Sequence, residues 1–279
     1  MTTTMPMSTE VRRSARQQHY LMCRPDFFSV TYAINPWMDP AVPVDEVRAL
    51  AQWDTLRRTY ESLGHQVDLI AAAADLPDMV FAANGGIVVD GRALAAHFTY
   101  AERQAEGGLY CDWFAKSGFS DARQAEHQNE GEGDFLKVGE IILAGTGFRT
   151  SQAAHREVAA FFGRTVVSLT LVDPRFYHLD TALAVLDETT VAYFPAAFSA
   201  SSRRELERLF PSAIIATEAD AMVFGLNAVS DGRNVILSEG ATHLVGALRD
   251  RGYEPIEMDM SELRKAGGAV KCCTLELRS

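Results

Sequence analysis

Basic residues are in short supply. The chain carries 26 Lys and Arg against 37 Asp and Glu, a formal net charge of −11 over 279 residues. That balance argues against nucleic acid as the main partner, because phosphate binding needs a basic face. It does not exclude a cationic small substrate, which an acidic pocket attracts. Cysteine is scarce as well, limited to Cys23, Cys111, Cys272 and Cys273. No C-x-x-C pair is present, so no metal site is expected. Adjacent cysteines in a strand point to opposite faces, which makes Cys272 and Cys273 poor disulfide partners. No uninterrupted apolar run reaches membrane-spanning length, and the polar N-terminal stretch with Arg12, Arg13 and Arg16 lacks the apolar core of a signal peptide. The expectation is a cytoplasmic protein with reduced thiols and no membrane partner. Residues 1–18 are expected to be a flexible leader and 19–279 a single domain.

What is present is ordinary globular material, 47% hydrophobic and 23% charged, enough for a large core. Tyr20 to Cys23 reads as a strand ended by Arg24-Pro25, and 35–40 as a loop rich in proline. Val44 to Leu63 reads as an amphipathic helix, with Val47, Leu50, Trp53 and Leu56 near helical spacing and Gly64 as its cap. Gln66 to Ala71 reads as a strand. A pattern then recurs. Hairpin turns are predicted near positions 90, 138, 187 and 231, one every 44 to 49 residues. After each of the last three comes a helix, at 151–162, 201–210 and 240–251. After each helix comes a strand, at 165–171, 213–217 and 253–258. The first unit reads as interrupted by an acidic, glycine-containing insertion at 105–130.

A period of this size marks a repeat architecture. Units of strand, strand, helix and strand about a pseudo-fivefold axis make an α/β-propeller. A doubly wound sheet needs single strands between helices, and the hairpins argue against it. The C-terminal run Gly267 to Leu275 alternates like a strand and has no unit of its own. Paired with the N-terminal strand and helix, it completes a fifth.

Polar residues recur at one phase of the repeat, at or just before each hairpin. They are Asn84, the run Glu130-Gly131-Glu132-Gly133-Asp134, His178-Leu179-Asp180, and Asn227. Singly, each has a bland explanation: a turn residue, a solvated loop, a core histidine, an amide bonding backbone, and for Cys272 a structural thiol. Their shared phase converges them on the axis, with Cys272 supplied by the fifth unit.

At these residues the chain resembles the guanidino-group-modifying enzymes, the amidinotransferase or pentein superfamily. The matching stretches are Leu21 to Pro25, Ile34 to Met38, Phe81 to Gly86, Glu130 to Asp134, Gly147 to Thr150, His178 to Thr181 and Gly267 to Thr274. The resemblance implies a five-unit α/β-propeller without a cofactor. It implies Cys272 as nucleophile, His178 as general acid and base, and Glu130 and Asp180 as carboxylates holding a guanidinium. It implies Arg149 as the grip on a substrate α-carboxylate, Arg103 as a second candidate for that task, and Asp134 as a supporting carboxylate. Where deiminases carry an aspartate, this chain has Asn84. Together with Asn35, it resembles the arginine dihydrolase branch, which takes arginine to ornithine, ammonia and carbon dioxide. Dimethylarginine hydrolase and arginine deiminase, both yielding citrulline, stand as alternatives, followed by amidinotransferase and a non-catalytic binding protein. The partner implied is a small molecule, and a homo-oligomer stays open.

Overall fold

The computed structural model describes residues 13–278. Its framework is five three-stranded sheets built to one plan. The second unit shows the plan plainly. Strand β3 (Gly86–Val89) forms an antiparallel hairpin with β4 (Arg92–Ala95), and β4 pairs in parallel with β5 (Asp121–Gln124) after a helical crossover. The third unit repeats it with β6 (Phe135–Val138), β7 (Ile141–Thr146) and β8 (Thr165–Thr170). The fourth uses β9 (Leu183–Val185), β10 (Val191–Tyr193) and β11 (Ile214–Ile215). The fifth uses β12 (Val229–Ser230), β13 (Asn234–Ser238) and β14 (Glu254–Met258). In the first unit, β1 (His19–Cys23) pairs in parallel with β2 (Gln66–Ile70) and antiparallel with the C-terminal strand β15 (Leu275–Glu276). The two ends of the chain thus share one sheet. The result is the five-unit α/β-propeller expected.

One helix crosses each sheet. These are α1 (Glu46–Ser62), α2 (Gln104–Lys116), α3 (Gln152–Phe162), α5 (Ala200–Leu209) and α7 (Thr242–Asp250), with short α4 (Leu179–Ala182) and α6 (Glu218–Met222) between units. Local chemistry sets their starts. The side chains of Asp45, Ser151 and Ser199 each accept an N–H of the first turn. Helix α1 buries Ala49, Trp53, Leu56 and Tyr60, a 3.6-residue stripe facing its sheet. The leading strands ring the axis, with β15 against β3, β6 against β9 and β9 against β12.

Two expectations are corrected. The 105–130 stretch is no insertion; it holds α2 and β5, the regular helix and third strand of its unit. Gly107 and Gly108 weaken the helical pattern. Gly107 is required there, because a Cβ would lie 2.3 Å from the Ala96 carbonyl oxygen where helix meets strand. The second correction concerns Cys272. Residues 270–273 form a turn, and only Leu275–Glu276 is strand. The Cys273 N–H bonds to the Ala269 carbonyl at 3.1 Å and the Thr274 hydroxyl to the Val270 carbonyl at 2.8 Å, a helical turn in place of alternation.

Of the expected leader, residues 1–12 lie outside the described residues. Arg13 pairs with Asp187 at 2.8 Å and lies over the Tyr253 ring, and the Arg16 N–H bonds to the Asp231 carbonyl at 2.9 Å. Among the described residues, no helix is long and apolar enough to cross a membrane, and no cluster of His, Cys, Asp and Glu could hold a metal ion.

Beneath the Cys272 turn the axis is ionic. Lys271 donates to Glu132 at 2.6 Å and to Glu276 at 3.0 Å. Arg278 donates to Glu132 and meets Glu276 at 2.7 Å. The Glu276 N–H adds a bond to Glu132 at 2.9 Å. Two cations and two anions balance, and Glu132 is fully buried. Glu132→Ala would leave both buried cations to share the single carboxylate of Glu276. We expect a loss of about 3–5 kcal/mol in equilibrium urea unfolding; a loss under about 1 kcal/mol would show that water replaces the carboxylate.

Candidate active site

The phase seen in the sequence becomes a place. Asn84, Glu130, His178, Asn227 and Cys272 each lie just ahead of a leading strand, so each unit delivers one to the same end of the axis. All five are buried, Cys272 with 1% exposure.

Their contacts fall into two halves. In the first, the Cys272 thiol donates to Asp180 Oδ2 at 3.1 Å, and Asn227 Nδ2 donates to the Cys272 sulfur at 3.1 Å. Burial pushes the thiol well up, and the neighbouring Asp180 carboxylate pushes it further. The resting sulfur is therefore S–H. Burial also raises Asp180, to about 7, against the Cys272 hydrogen bond and the charge of Lys271. Cys273 lies on the far side of the turn, its thiol raised by burial and then by nearby Cys23.

In the second half, His178 Nε2 and Glu130 Oε2 are 2.8 Å apart. Arg149 Nη1 donates to both Glu130 oxygens at 2.9 Å, and its Nη2 donates to the Ile34 carbonyl at 2.7 Å. Its guanidinium lies 4.5 Å and 4.6 Å from the ring centres of Tyr100 and Tyr177. Burial alone would raise Glu130, but Arg149, His178 and Arg103 outweigh it and hold the carboxyl far below the usual range. An ionised Glu130 fixes the imidazole with Nδ1 free toward the centre. Asp134 supports the same half, accepting from Thr150 at 2.7 Å and from the Leu179 N–H at 3.0 Å. Burial lifts Asp134 to about 6.

Arg103 is held from all sides. Nε and Nη2 meet the two oxygens of Glu106 at 2.8 Å, and Nη1 donates to Asn84 Oδ1 at 2.9 Å. That last bond fixes the Asn84 amide with its Nδ2 turned away from Arg103. Asn35 lies in the loop between β1 and α1, where its Nδ2 donates to the Ala266 carbonyl at 3.0 Å and its Oδ1 accepts from the Trp37 N–H at 2.9 Å. The oxygen end of its amide thus closes a turn within the loop, and the nitrogen end ties the loop to the segment that leads to Cys272.

Between the halves are groups with no partner. Among the described residues, Asp78 Oδ1, Asn84 Nδ2, His178 Nδ1 and Asp180 Oδ1 are buried side-chain atoms without a hydrogen bond. Buried polar atoms are rarely left so, and a cluster of them marks a place made for a ligand. Two carboxylate oxygens and an imidazole nitrogen suit a planar cation rich in N–H groups, and the amide donor suits an oxygen beside it. Gly133 makes the close approach possible, since a Cβ there would come within 2.5 Å of Asn84 Nδ2 and 3.1 Å of His178 Nδ1. A wide depression of about 930 Å³ lies at the opposite end, among the hairpin turns and Arg13, Lys137 and Arg278, and contains none of these atoms.

Sequence reasoning missed Asp78, which also accepts from Tyr32 at 2.9 Å, and Tyr177, whose hydroxyl donates to the Gly267 carbonyl at 2.7 Å. The signal for Asp78 was one carboxylate set against the apolar run Met79 to Ala83. Tyr177 left none.

Comparison with known proteins agrees with this geometry. A family model described as N,N dimethylarginine dimethylhydrolase, eukaryotic, matches residues 35–279. The N(G),N(G)-dimethylarginine dimethylaminohydrolase of Mycobacterium tuberculosis is 54% identical over 271 residues, 97% of this chain and 89% of that protein. The bifunctional arginine dihydrolase/ornithine cyclodeaminase ArgZ of Synechocystis is 38% identical over 92% of this chain, which spans 37% of that longer protein. The N-terminal domain of ArgZ, solved with substrate bound, superposes with a TM-score of 0.90 at 36% identity, covering 94% of this chain and 99% of that domain. The chain belongs to the N,N dimethylarginine dimethylhydrolase family, hydrolases of C–N bonds in the guanidino group of arginine or its methylated forms.

Proposed function

We propose that this chain is an arginine dihydrolase, converting arginine to ornithine, carbon dioxide and two molecules of ammonia. The observation that carries the reading is Asn84, its oxygen held by Arg103 and its unpartnered Nδ2 presented beside His178 and Gly133.

The substrate guanidinium sits between Asp180 and the Asn84–His178 side, with its planar N–H groups on the carboxylate. Its charge replaces the S–H as the partner of Asp180 and favours the thiolate. The thiol proton passes to His178 Nδ1. Sulfur attacks the guanidinium carbon, forming the S–C bond. A C–N bond then breaks as His178 returns that proton to the departing nitrogen, which leaves as ammonia. The thiouronium intermediate takes up water, activated by His178, and expels the sulfur to give a ureido product. Glu130, kept ionised by Arg149, holds the imidazole throughout. A substrate α-carboxylate reaching Arg149 would replace the Ile34 carbonyl on Nη2.

The second round requires attack on a neutral ureido carbon, where negative charge gathers on oxygen. A carboxylate at position 84 would repel that oxygen, whereas the Asn84 Nδ2–H can donate to it. Sulfur then expels the second ammonia, and water releases a carbamate that loses carbon dioxide. A second reading, hydrolysis of asymmetric dimethylarginine to citrulline and dimethylamine, is favoured by the relative at 54% identity. Incubation with arginine and with asymmetric dimethylarginine, scoring ornithine, citrulline and the released amine, decides between them. Citrulline and dimethylamine, with no ornithine from arginine, would overturn the dihydrolase reading.

Three variants bear on this reading. Asn84→Asp should stop the reaction at citrulline; ornithine at the original rate would remove the amide from the second step. Cys272→Ser should abolish turnover while Cys273→Ser keeps most of it, and the reverse result would reassign the nucleophile. Asp180 must be ionised to hold the cation, and without substrate burial raises it to about 7. So kcat/KM for arginine should fall as pH drops through that value. Asp180→Asn should lose the acid limb along with about 100-fold in rate. A limb that survives the substitution belongs to another group.

A further inference from the structure

We infer that Asn227 is a catalytic residue of this site, the hydrogen-bond donor that stabilises the Cys272 sulfur whenever it is a thiolate. The inference rests on the reading of Cys272 as the nucleophile.

Asn227 is fully buried ahead of β12 and makes a complete set of bonds. Its Oδ1 accepts from the backbone N–H groups of Ala269 and Cys272, both at 3.1 Å. Its Nδ2 donates to the Asp180 carbonyl and to the Cys272 sulfur, both at 3.1 Å. The orientation of the amide follows from these bonds. Flipped, it would set an NH₂ against two N–H donors and an oxygen against the Asp180 carbonyl. The NH₂ must therefore face the sulfur.

The sulfur needs such a group. Burial and Asp180 both oppose its charge, and among the described residues no basic side chain bonds to it. Lys271, next in the chain, is turned to Glu132 and Glu276. The substrate cation favours the thiolate on the way in. When water expels the sulfur from an acylated intermediate, the organic cation is consumed in the first round and absent in the second. A donor built into the protein acts at every one of these stages, and its dipole is oriented before reaction begins. One side chain thereby shapes the turn that carries the nucleophile and receives the nucleophile's charge.

Asn227→Ser shortens the donor, while Asn227→Asp keeps both acceptor bonds to the turn but sets a carboxylate against the sulfur. Alkylation of Cys272 by iodoacetamide, followed by peptide mass spectrometry over neutral to alkaline pH, reads the thiolate without substrate. Both variants should alkylate Cys272 at least ~10-fold more slowly than the parent at a given pH, equivalent to a thiol pKa raised by about one unit. Turnover of arginine should fall ~10²–10³-fold in kcat with KM little changed. If Asn227 only held the turn, loosening it would expose the sulfur, and alkylation would be unchanged or faster. That result overturns the inference. The aspartate variant, which keeps the turn's bonds, serves where the serine variant does not fold. Alkylation that depends on Asn227 in a protein hydrolysing neither arginine nor methylarginine would sustain this assignment and sink the proposed reaction instead.

Discussion

The constraint on which the site depends is the buried carboxylate of Glu132. It sits in the turn that carries Glu130, yet its partners are Lys271, Arg278 and the Glu276 N–H, all from the end of the chain. One side chain therefore fixes the distance between the turn of the third unit that carries Glu130 and the turn of the first that carries Cys272. A buried ion pair is a poor source of net stability, because desolvation cancels most of the attraction. What it supplies is register. Apolar packing would tolerate sliding at the axis, whereas four charges that must remain paired do not.

The closure of the ring has the same logic. Strand β15 is two residues long and pairs with β1 at only Tyr20 and Leu21. Such a pair is weak by itself. The ionic cluster holds it from inside, and the Leu277 N–H bond to the His19 carbonyl at 2.8 Å extends it outward. The two ends of the chain are thus locked together beside the segment that carries Cys272. The loop between β1 and α1 adds bonds to other units through Tyr32, Ile34 and Trp37. These bonds pack the loop over buried carboxylates, where the low local dielectric makes charge interactions strong.

The architecture was legible because it is written in turns. Hairpins carry local signals, and four of them at one spacing implied a repeat before any pairing was known. The shared phase of Asn84, Glu130, His178 and Asn227 then pointed to one end of the axis, where the structure brings them together as a candidate site. What escaped depends on contacts distant in sequence. Helix α2 was hidden because Gly107 answers to the Ala96 carbonyl of another element and not to helical propensity. The Cys272 segment reads as a strand by alternation and turns instead, because Asn227 accepts two of its N–H groups from 42 and 45 residues away. Arg103 and Arg149 could be named as cations near the site. That each is bound to a glutamate, so that one orients Asn84 and the other Glu130, required coordinates.

These pairings give the chain's asparagine at position 84 a definite physical sense. An amide in a buried site is a weak instrument if it can rotate, since its oxygen and nitrogen ends are nearly the same shape. Here Arg103 accepts no bond and can only donate, so it selects the oxygen end of Asn84. Glu106 in turn leaves Arg103 no other orientation. An aspartate at 84 would satisfy Arg103 equally well, but would present a second oxygen to the centre where Asn84 presents N–H. For a cationic guanidinium, which has only N–H donors to offer, the carboxylate is the better partner and the amide N–H makes no hydrogen bond to it. In the dihydrolase reading proposed for this chain, the preference reverses once the first nitrogen has left and the carbon bears an oxygen. In that reading, how far the reaction runs would therefore rest with a fixed Arg103–Asn84 pair.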